Sequence, residues 1–269
     1  MNDRAAFARL VETLSPWAPQ LVFVGGWAHR LYRLHPKADV PVYQPLTTLD
    51  ADVAFGARDI LEGSIKTRLQ EAGFEEQLTG NHQPPVSQYT LGEDEAGGFY
   101  AEFLTPLIGR DVTKDGKRIA TLEKAGITAQ RLRYLELLLQ TPWSVTLPSD
   151  WSATSPSNLR IPNPVSFIVQ KLLIHDDRPG NKKAQDLLYI HDTLELFAPE
   201  LEHLTVLWHD EVRPSMHEKW VQRALQAKDA LFGALNDRIR DAAAIPLDRD
   251  LDPERMRAMC DAALDEVLK

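Results

Sequence analysis

Two aspartates, Asp50 and Asp52, lie two residues apart in the segment 49–55, where apolar and polar residues alternate. Alternation with period 2 indicates a half-buried strand, so both carboxylates project from one face, about 6 to 7 Å apart. Carboxylates at that separation can hold a divalent cation between them. Hard oxygen ligands suit Mg²⁺ or Mn²⁺, and Mg²⁺ completes its shell with water and substrate phosphates. The pair therefore predicts metal-dependent phosphate chemistry.

A glycine pair and a third carboxylate extend this site. Gly25 and Gly26 follow the apolar run 21–24, where they let the backbone approach a phosphate and direct free N–H groups at it. Glu102 lies between Ala101 and Phe103 in a later apolar run and could complete the metal shell. Two ions held in this way would activate an attacking oxygen and stabilise a leaving pyrophosphate. A lone Asp-x-Asp or Gly-Gly is weak evidence by itself, because each is common in ordinary turns.

Local patterns predict the elements that must position these residues. The predicted strands are 21–24, 49–55, 86–91 and 99–104. The predicted helices are 4–14, 28–34, 59–72, 164–176, 181–197, 215–241 and 253–268. We therefore expect an α+β (mixed α/β) fold, with a short mixed sheet in a domain of residues 1–150 and a helical domain of residues 151–269. The Pro-, Ser- and Thr-rich segment 141–164 is the expected boundary.

The order of these motifs resembles the nucleotidyltransferase superfamily related to DNA polymerase β. In that superfamily a glycine pair precedes an acidic pair on the next strand, and a third acidic residue follows on a further strand. Here 23 residues separate Gly26 from Asp50, more than is usual, and an insertion at 35–47 would explain the gap. The resemblance implies that Asp50, Asp52 and Glu102 bind the metal, and that Glu102 could instead take the acceptor proton.

Within that superfamily the chain looks closest to the bacterial families of the AbiEii and MenT toxins. The resemblance rests on Val24-Gly-Gly-Trp-Ala-His-Arg30, Thr47-Thr-Leu-Asp-Ala-Asp-Val53, Glu102-Phe-Leu-Thr-Pro106, and the helix pair 163–178 and 182–190. The resemblance spans about residues 20–195. It implies an NTP substrate bound in a cleft closed by the helical domain, with these contacts to the nucleotide: Gly25, Gly26, Arg30, Thr48, Lys171 and Asp186.

Lys171 is also informative without the resemblance. It lies on the flank of the apolar stripe of the helix 164–176, where its ammonium is costly to desolvate unless it meets a phosphate or a carboxylate. Asp186 on the following helix is a candidate carboxylate. Triphosphate binding and an interhelical ion pair therefore both remain open for Lys171.

The acceptor is the least determined part of the prediction. The toxin families suggest tRNA or a protein side chain as acceptor and an antitoxin as partner, whereas other relatives modify small molecules such as aminoglycosides. A net charge of -9 argues against bulk binding of nucleic acid. A local basic rim could still hold an RNA end, and its candidates are Arg178, Lys182 and Lys183. A catalytically inactive, nucleotide-binding relative is a further alternative.

A second possible metal site consists of His175-Asp-Asp177 and His191-Asp192, because metal-dependent phosphohydrolases bind ions through such pairs. No earlier histidine completes that set.

The single cysteine, Cys260, cannot form an internal disulfide. No apolar window is long enough for a signal peptide or a membrane span. We therefore expect a cytoplasmic protein without a membrane partner.

Overall fold

The protein forms two compact units in a computed structural model, which describes residues 3–80, 84–92, 98–109, 112, 119–151 and 158–269. The first unit comprises Met1–Leu34 and Thr47–Pro162, and the second comprises His35–Leu46 and Asn163–Lys269. The first unit contains the sheet, and the second is helical. The predicted class, a mixed α/β part followed by a helical part, is therefore confirmed.

The first unit contains these strands: β1 Val22–Val24, β2 Asp50–Ala54, β3 Glu75–Thr79, β4 Val86–Leu91, β5 Phe99–Pro106, β6 Thr121–Lys124, β7 Ile127–Leu132, β8 Trp143–Thr146 and β9 Asn158–Ile161. Its helices are α1 Asp3–Leu14, α2 Gly25–Leu31, α3 Ile65–Glu71 and α4 Glu136–Leu139. Short 3₁₀ turns follow α1 at Ser15–Trp17 and α2 at Tyr32–Leu34.

One mixed sheet of seven strands organises this unit. Its main order is β1-β2-β5-β4-β3, and β7 extends it by pairing with both β5 and β6. The central pair, β2 and β5, is parallel, whereas β1 and β4 run antiparallel to their neighbours. The parallel pair places equivalent positions of β2 and β5 side by side, which aligns the acidic residues described below.

The two faces of the central strands differ in character. In β2 and β5, residues Ala51, Val53, Ala101 and Phe103 are fully buried, and the residues that alternate with them include acidic ones. The buried face packs against α1, where Phe7 lies edge-on to Phe23 of β1 at 5.2 Å and stacks on Trp27 of α2 at 3.9 Å between ring centroids. The other face carries polar groups at positions 50, 52, 100 and 102, whereas further along the strands Ala54 and Leu104 on that face are buried in a second hydrophobic cluster.

The second unit consists of these helices: α5 Pro164–Ile174, α6 Gly180–Leu196, α7 Leu201–Leu207, α8 Arg213–Ser215, α9 Glu218–Phe232, α10 Asp237–Ala243 and α11 Pro253–Val267. A π-helical turn, Trp208–Val212, connects α7 and α8. The long helix α6 packs against α5, α10 and α11. Asn163 caps α5 through a 2.8 Å bond from the Ser166 amide to its side-chain oxygen, with Pro164 at the first position.

The boundary between the units differs from the predicted division at residue 150 in two ways. Strands β8 and β9 pair as an antiparallel hairpin, and β9 contacts β1, so the first unit continues to Pro162. An insertion was predicted at 35–47, and residues 35–46 of that segment belong to the second unit. They are held there by bonds such as the 2.9 Å ion pair of Lys37 with Glu200 and the bond from Tyr43 to Glu195.

Several predicted bounds change because of local backbone signals. The helix predicted at 59–72 begins only at Ile65, because Ser64 caps it and Gly63 adopts a positive φ of 79°. The helix predicted at 215–241 is interrupted after Phe232, and Asn236 caps the next helix. The elements that were not predicted are strands β3, β6, β7, β8 and β9 and helices α4, α7 and α8. Within the described residues, none of the helices is long and apolar enough to cross a membrane.

Candidate active site

The parallel pairing of β2 and β5 brings the three predicted acidic residues onto one face of the sheet. Asp52 lies opposite Glu102, and Asp50 lies opposite Tyr100. Because side chains alternate along a strand, Asp50, Asp52, Tyr100 and Glu102 all project from the same face. These positions are half-buried, whereas the residues between them are buried. The structure thus brings together the carboxylates that the sequence separates by 50 residues.

Neutral side chains hold two of these carboxylates. The Thr48 hydroxyl donates a hydrogen bond to Asp50 Oδ1. The amide of Gln88, on β4, donates a bond of 3.1 Å to Glu102 Oε1. Thr48 was predicted as a nucleotide contact, and the structure places its hydroxyl on Asp50. The acidic set therefore has one uncharged donor just before β2 and another on the neighbouring strand β4.

The pKa values of Glu102 and Tyr100 are both raised at this site. Burial, and then the charge of Asp50, raise the pKa of Glu102, although the bond from Gln88 acts in the opposite direction. Burial together with the charges of Asp50, Glu102 and Asp52 raises the pKa of Tyr100 to about 12. Burial is the larger cause of both shifts, and the contribution of the neighbouring carboxylates reflects anionic charge on this face, which favours a cation.

Gly25 lies against the acidic set. Its φ is +64°, and a Cβ placed on it would lie 2.1 Å from Asp52 Oδ2. Gly25 is therefore required both for its backbone conformation and for the space that the Asp52 carboxylate occupies. Gly25 and Gly26 begin α2, whose first N–H groups have no partner within the helix. The structure thus places the glycine pair beside Asp52, which the wide sequence gap did not make evident.

Arg30, the fourth residue after Gly26, is engaged in packing. Its Nη1 lies 2.8 Å from Asp3 Oδ2, and its guanidinium lies over the Trp27 ring at 4.1 Å from the ring centroid. Only 8% of the side chain is exposed. A nucleotide contact by Arg30 therefore stays a prediction, and it would require the loss of one of these contacts.

Lys171 lies in the second unit, within a buried ion pair. Its ammonium is 2.5 Å from Asp186 Oδ1 and lies between the rings of Phe167 and Tyr189, at 4.7 and 4.6 Å from their centroids. Arg178 Nε donates to the other Asp186 oxygen at 3.0 Å. Burial opposes the charge of Asp186, but Lys171 and Arg178 outweigh it and lower the pKa of that carboxyl. The ion pair that the sequence left open is thus present, and triphosphate binding by Lys171 stays a prediction.

The predicted basic rim is smaller than the sequence suggested. Arg178 is bound to Asp186, because the turn after α5 directs its guanidinium back towards α6. Lys182 and Lys183 lie in the first turn of α6 and are half-buried. Two acidic residues, Asp176 and Asp177, are exposed in the 3₁₀ turn His175–Asp177 that precedes α6. This segment is therefore of mixed charge.

Of the two histidines predicted for a second metal site, His175 has another partner, whereas His191 contacts Asp192 as predicted. His175 Nε2 lies 3.2 Å from Arg238, and His191 Nδ1 lies 2.9 Å from Asp192 Oδ1. Among the described residues, His191, Asp192 and Glu195 form a group of three possible metal ligands, whose ligand atoms all lie within 4.8 Å of one another. The described carboxylates of the sheet form no group that meets this distance.

A guanidinium already provides the positive charge at this histidine group. Arg249 Nη2 lies 2.5 Å from Asp192 Oδ1, and its Nη1 lies 3.7 Å from Glu195. This fixed cation on the same carboxylates is typical of a structural ion-pair network and disfavours a metal ion there.

Sequence reasoning missed Gln88 and Tyr100. Both alternate with buried residues in strands that were predicted, so period-2 patterning could have placed them on a polar face. The sequence does not show which strands are neighbours, and only that pairing brings these two residues to the acidic set.

The chain matches a family model described as nucleotidyltransferase over residues 2–212. The match covers most of the chain, so the protein belongs to this nucleotidyltransferase family and is a nucleotidyltransferase, as the sequence motifs predicted. Residues 213–269 lie outside the match. A comparison with curated protein sequences finds no match.

Two solved structures are similar to this chain. An antigenic nucleotidyltransferase-like protein from Paracoccidioides brasiliensis has 16% identity and a TM-score of 0.38, with 87% of this chain and 98% of that chain covered. MenT4, a nucleotidyltransferase toxin from Mycobacterium tuberculosis H37Rv, has 16% identity and a TM-score of 0.36, with 98% of this chain and 92% of that chain covered.

Proposed function

We propose that the protein transfers a nucleotide from a metal-bound NTP to an acceptor hydroxyl, with the active site on the polar face of β2 and β5. The observation that carries this proposal is the parallel register, which sets Asp52 beside Glu102 and Asp50 two residues before Asp52. In a member of a nucleotidyltransferase family, three aligned carboxylates beside a glycine turn are the natural site of phosphate chemistry.

The donor set fits Mg²⁺ or Mn²⁺. Asp50, Asp52 and Glu102 would hold the ion, because all three offer carboxylate oxygens and lie on one half-buried face. A bound divalent ion would neutralise the phosphates and favour loss of the acceptor proton. The concentrated negative charge supports this assignment, since the raised pKa of Glu102 results partly from Asp50.

The protein's own residues would then act on the substrate as follows. The first amides of α2, at Gly25 and Gly26, would bind phosphate oxygens next to Asp52. The acceptor oxygen forms a bond to the α-phosphorus while the bond to the bridging oxygen breaks, and pyrophosphate leaves. Glu102 would take the acceptor proton, a role that its raised pKa suits, or would stay a metal ligand while the proton is lost to water. Contacts of the nucleotide with Arg30, Thr48, Lys171 and Asp186, and closure by the helical unit, stay predictions.

The acceptor is the open part of this proposal, and one experiment addresses it directly. The purified protein is incubated with each α-labelled NTP and, separately, total tRNA, lysate protein or an aminoglycoside panel. We expect label in one pool, and Asp52→Ala should abolish it. If the acceptor is tRNA, labelling should fall steeply with salt and fall again when Lys182 and Lys183 are neutralised. Label confined to small molecules would contradict an RNA acceptor and the toxin-like role with its antitoxin partner.

Metal dependence is tested in the same assay. Chelation should abolish labelling, and Mg²⁺ or Mn²⁺ should restore it. Label that persists after chelation would contradict the metal site. A third outcome is that no pool takes up label although the protein binds NTP and Asp52→Ala abolishes that binding. This result would favour the alternative that the protein binds nucleotide but is catalytically inactive.

A further inference from the structure

Gln88 is a neutral residue on the sheet face that carries Asp50, Asp52 and Glu102. Strand β4 pairs antiparallel with β5, and the register places Gln88 directly opposite Glu102. Along β4, Gln88 and Thr90 are half-buried, whereas Tyr89 between them is fully buried on the other face. The strand therefore presents Gln88 to the acidic set by the same alternation that presents Glu102.

The contact between these two side chains is direct. Gln88 Nε2 donates to Glu102 Oε1 at 3.1 Å, within the range of a normal hydrogen bond. Both residues are anchored on paired strands, so the bond restricts the rotamer of Glu102. The remaining oxygen, Oε2, is left for another partner.

The chemistry of the amide suits a carboxylate that must bind a cation. A lysine or arginine at this position would also hold Glu102, but its positive charge would repel a divalent ion. The amide orients the carboxylate and keeps its full negative charge available.

We propose that Gln88 is a positioning residue, which fixes the Glu102 carboxylate for metal binding through its hydrogen bond to Oε1. The proposal rests on the proposed function, in which Glu102 is a metal ligand. Hydrogen-bond partners of metal ligands typically contribute about tenfold to a hundredfold to metal affinity.

The test measures Mn²⁺ binding to the full-length protein by electron paramagnetic resonance at fixed pH. Gln88→Met keeps the length of the side chain and removes the donor, and we expect Mn²⁺ affinity to fall about tenfold or more. Gln88→Asn shortens the side chain by one methylene and should also weaken Mn²⁺ binding. This variant still tests the proposal if Gln88→Met does not fold. Melting temperatures of all variants report on folding.

Gln77→Met is the matched control. Gln77 lies opposite Gln88 in the β3–β4 register, one strand further from Glu102, and is exposed. We expect this variant to bind Mn²⁺ like the wild type. An unchanged affinity in folded Gln88→Met, or an equal loss in Gln77→Met, would overturn the proposal. Asp52→Asn distinguishes failure of the Gln88 proposal from failure of the metal site. If Asp52→Asn binds Mn²⁺ as tightly as the wild type, the metal site itself is overturned, and the role of Gln88 with it.

Discussion

Gly25→Ala tests the arrangement of the acidic site most directly. The alanine would have to adopt the left-handed φ of +64°, and its Cβ would lie 2.1 Å from Asp52 Oδ2. The backbone conformation alone costs about 1–2 kcal/mol, which lowers the melting temperature by about 2–8 °C for a unit of this size. The Cβ also forces the Asp52 carboxylate to move. A displacement of roughly 1 Å at a catalytic group can cost about a hundredfold in rate.

Gly63→Ala is the matched control for this prediction. Gly63 has a similar positive φ of +79°, but the nearest atom to its Cβ would be Trp17 Cζ2 at 3.9 Å. Both variants should therefore lose similar stability in a thermal melt. Only Gly25→Ala should also weaken Mg-ATP binding, measured by calorimetry, and reduce nucleotide transfer. Equal Mg-ATP affinities in the two variants would refute the inference that Gly25 makes room for the Asp52 carboxylate.

Three further outcomes follow from the same structure. The double variant Asp50→Asn with Asp52→Asn should lose Mg²⁺-dependent ATP binding in calorimetry while keeping its melting temperature, and equal binding would contradict the metal site. Lys171→Ala should destabilise the protein in denaturant unfolding by up to about 3–5 kcal/mol, because the buried Asp186 charge keeps only Arg178 as a partner. A larger loss in ATP affinity than in stability would instead favour triphosphate binding. The lowered pKa of Asp186 means that its ion pairs stabilise the fold fully above its unfolded pKa, and that this contribution is lost as pH falls through the folded value. Thermal melts below about pH 4 should therefore show a steeper loss in wild type than in Asp186→Asn.

Local patterning was sufficient for the elements with strong periodicity. Helices α1, α5, α6 and α11 and strands β2, β4 and β5 lie where apolar spacing placed them, since burial of one face imposes that spacing on the sequence. Strand β3, Glu75-Glu-Gln-Leu-Thr79, lacks the pattern because it is largely exposed and is held by backbone pairing with β4. A strand stabilised by its neighbour need not show burial in its own residues.

The shared face of Asp50 and Asp52 follows from the sequence alone, because residues two apart on a strand always project together. The position of Glu102 beside Asp52 required the tertiary structure, because the register of β2 with β5 depends on pairing between residues distant in the chain. The contact of Gly25 with Asp52 likewise spans the long segment that joins α2 to β2.

For the segment 35–46 as well, the sequence predicts the local conformation and only the tertiary structure shows the partners. Its prolines and polar residues indicate a segment without regular structure, and the sequence indicates nothing about its partners. In the structure it belongs to the helical unit, where Tyr43 bonds to Glu195 and the Gln44 amide donates to Asp248. Single hydrogen bonds and ion pairs of this kind involve no periodic burial, so they leave no trace in the sequence, and only the folded chain determines them.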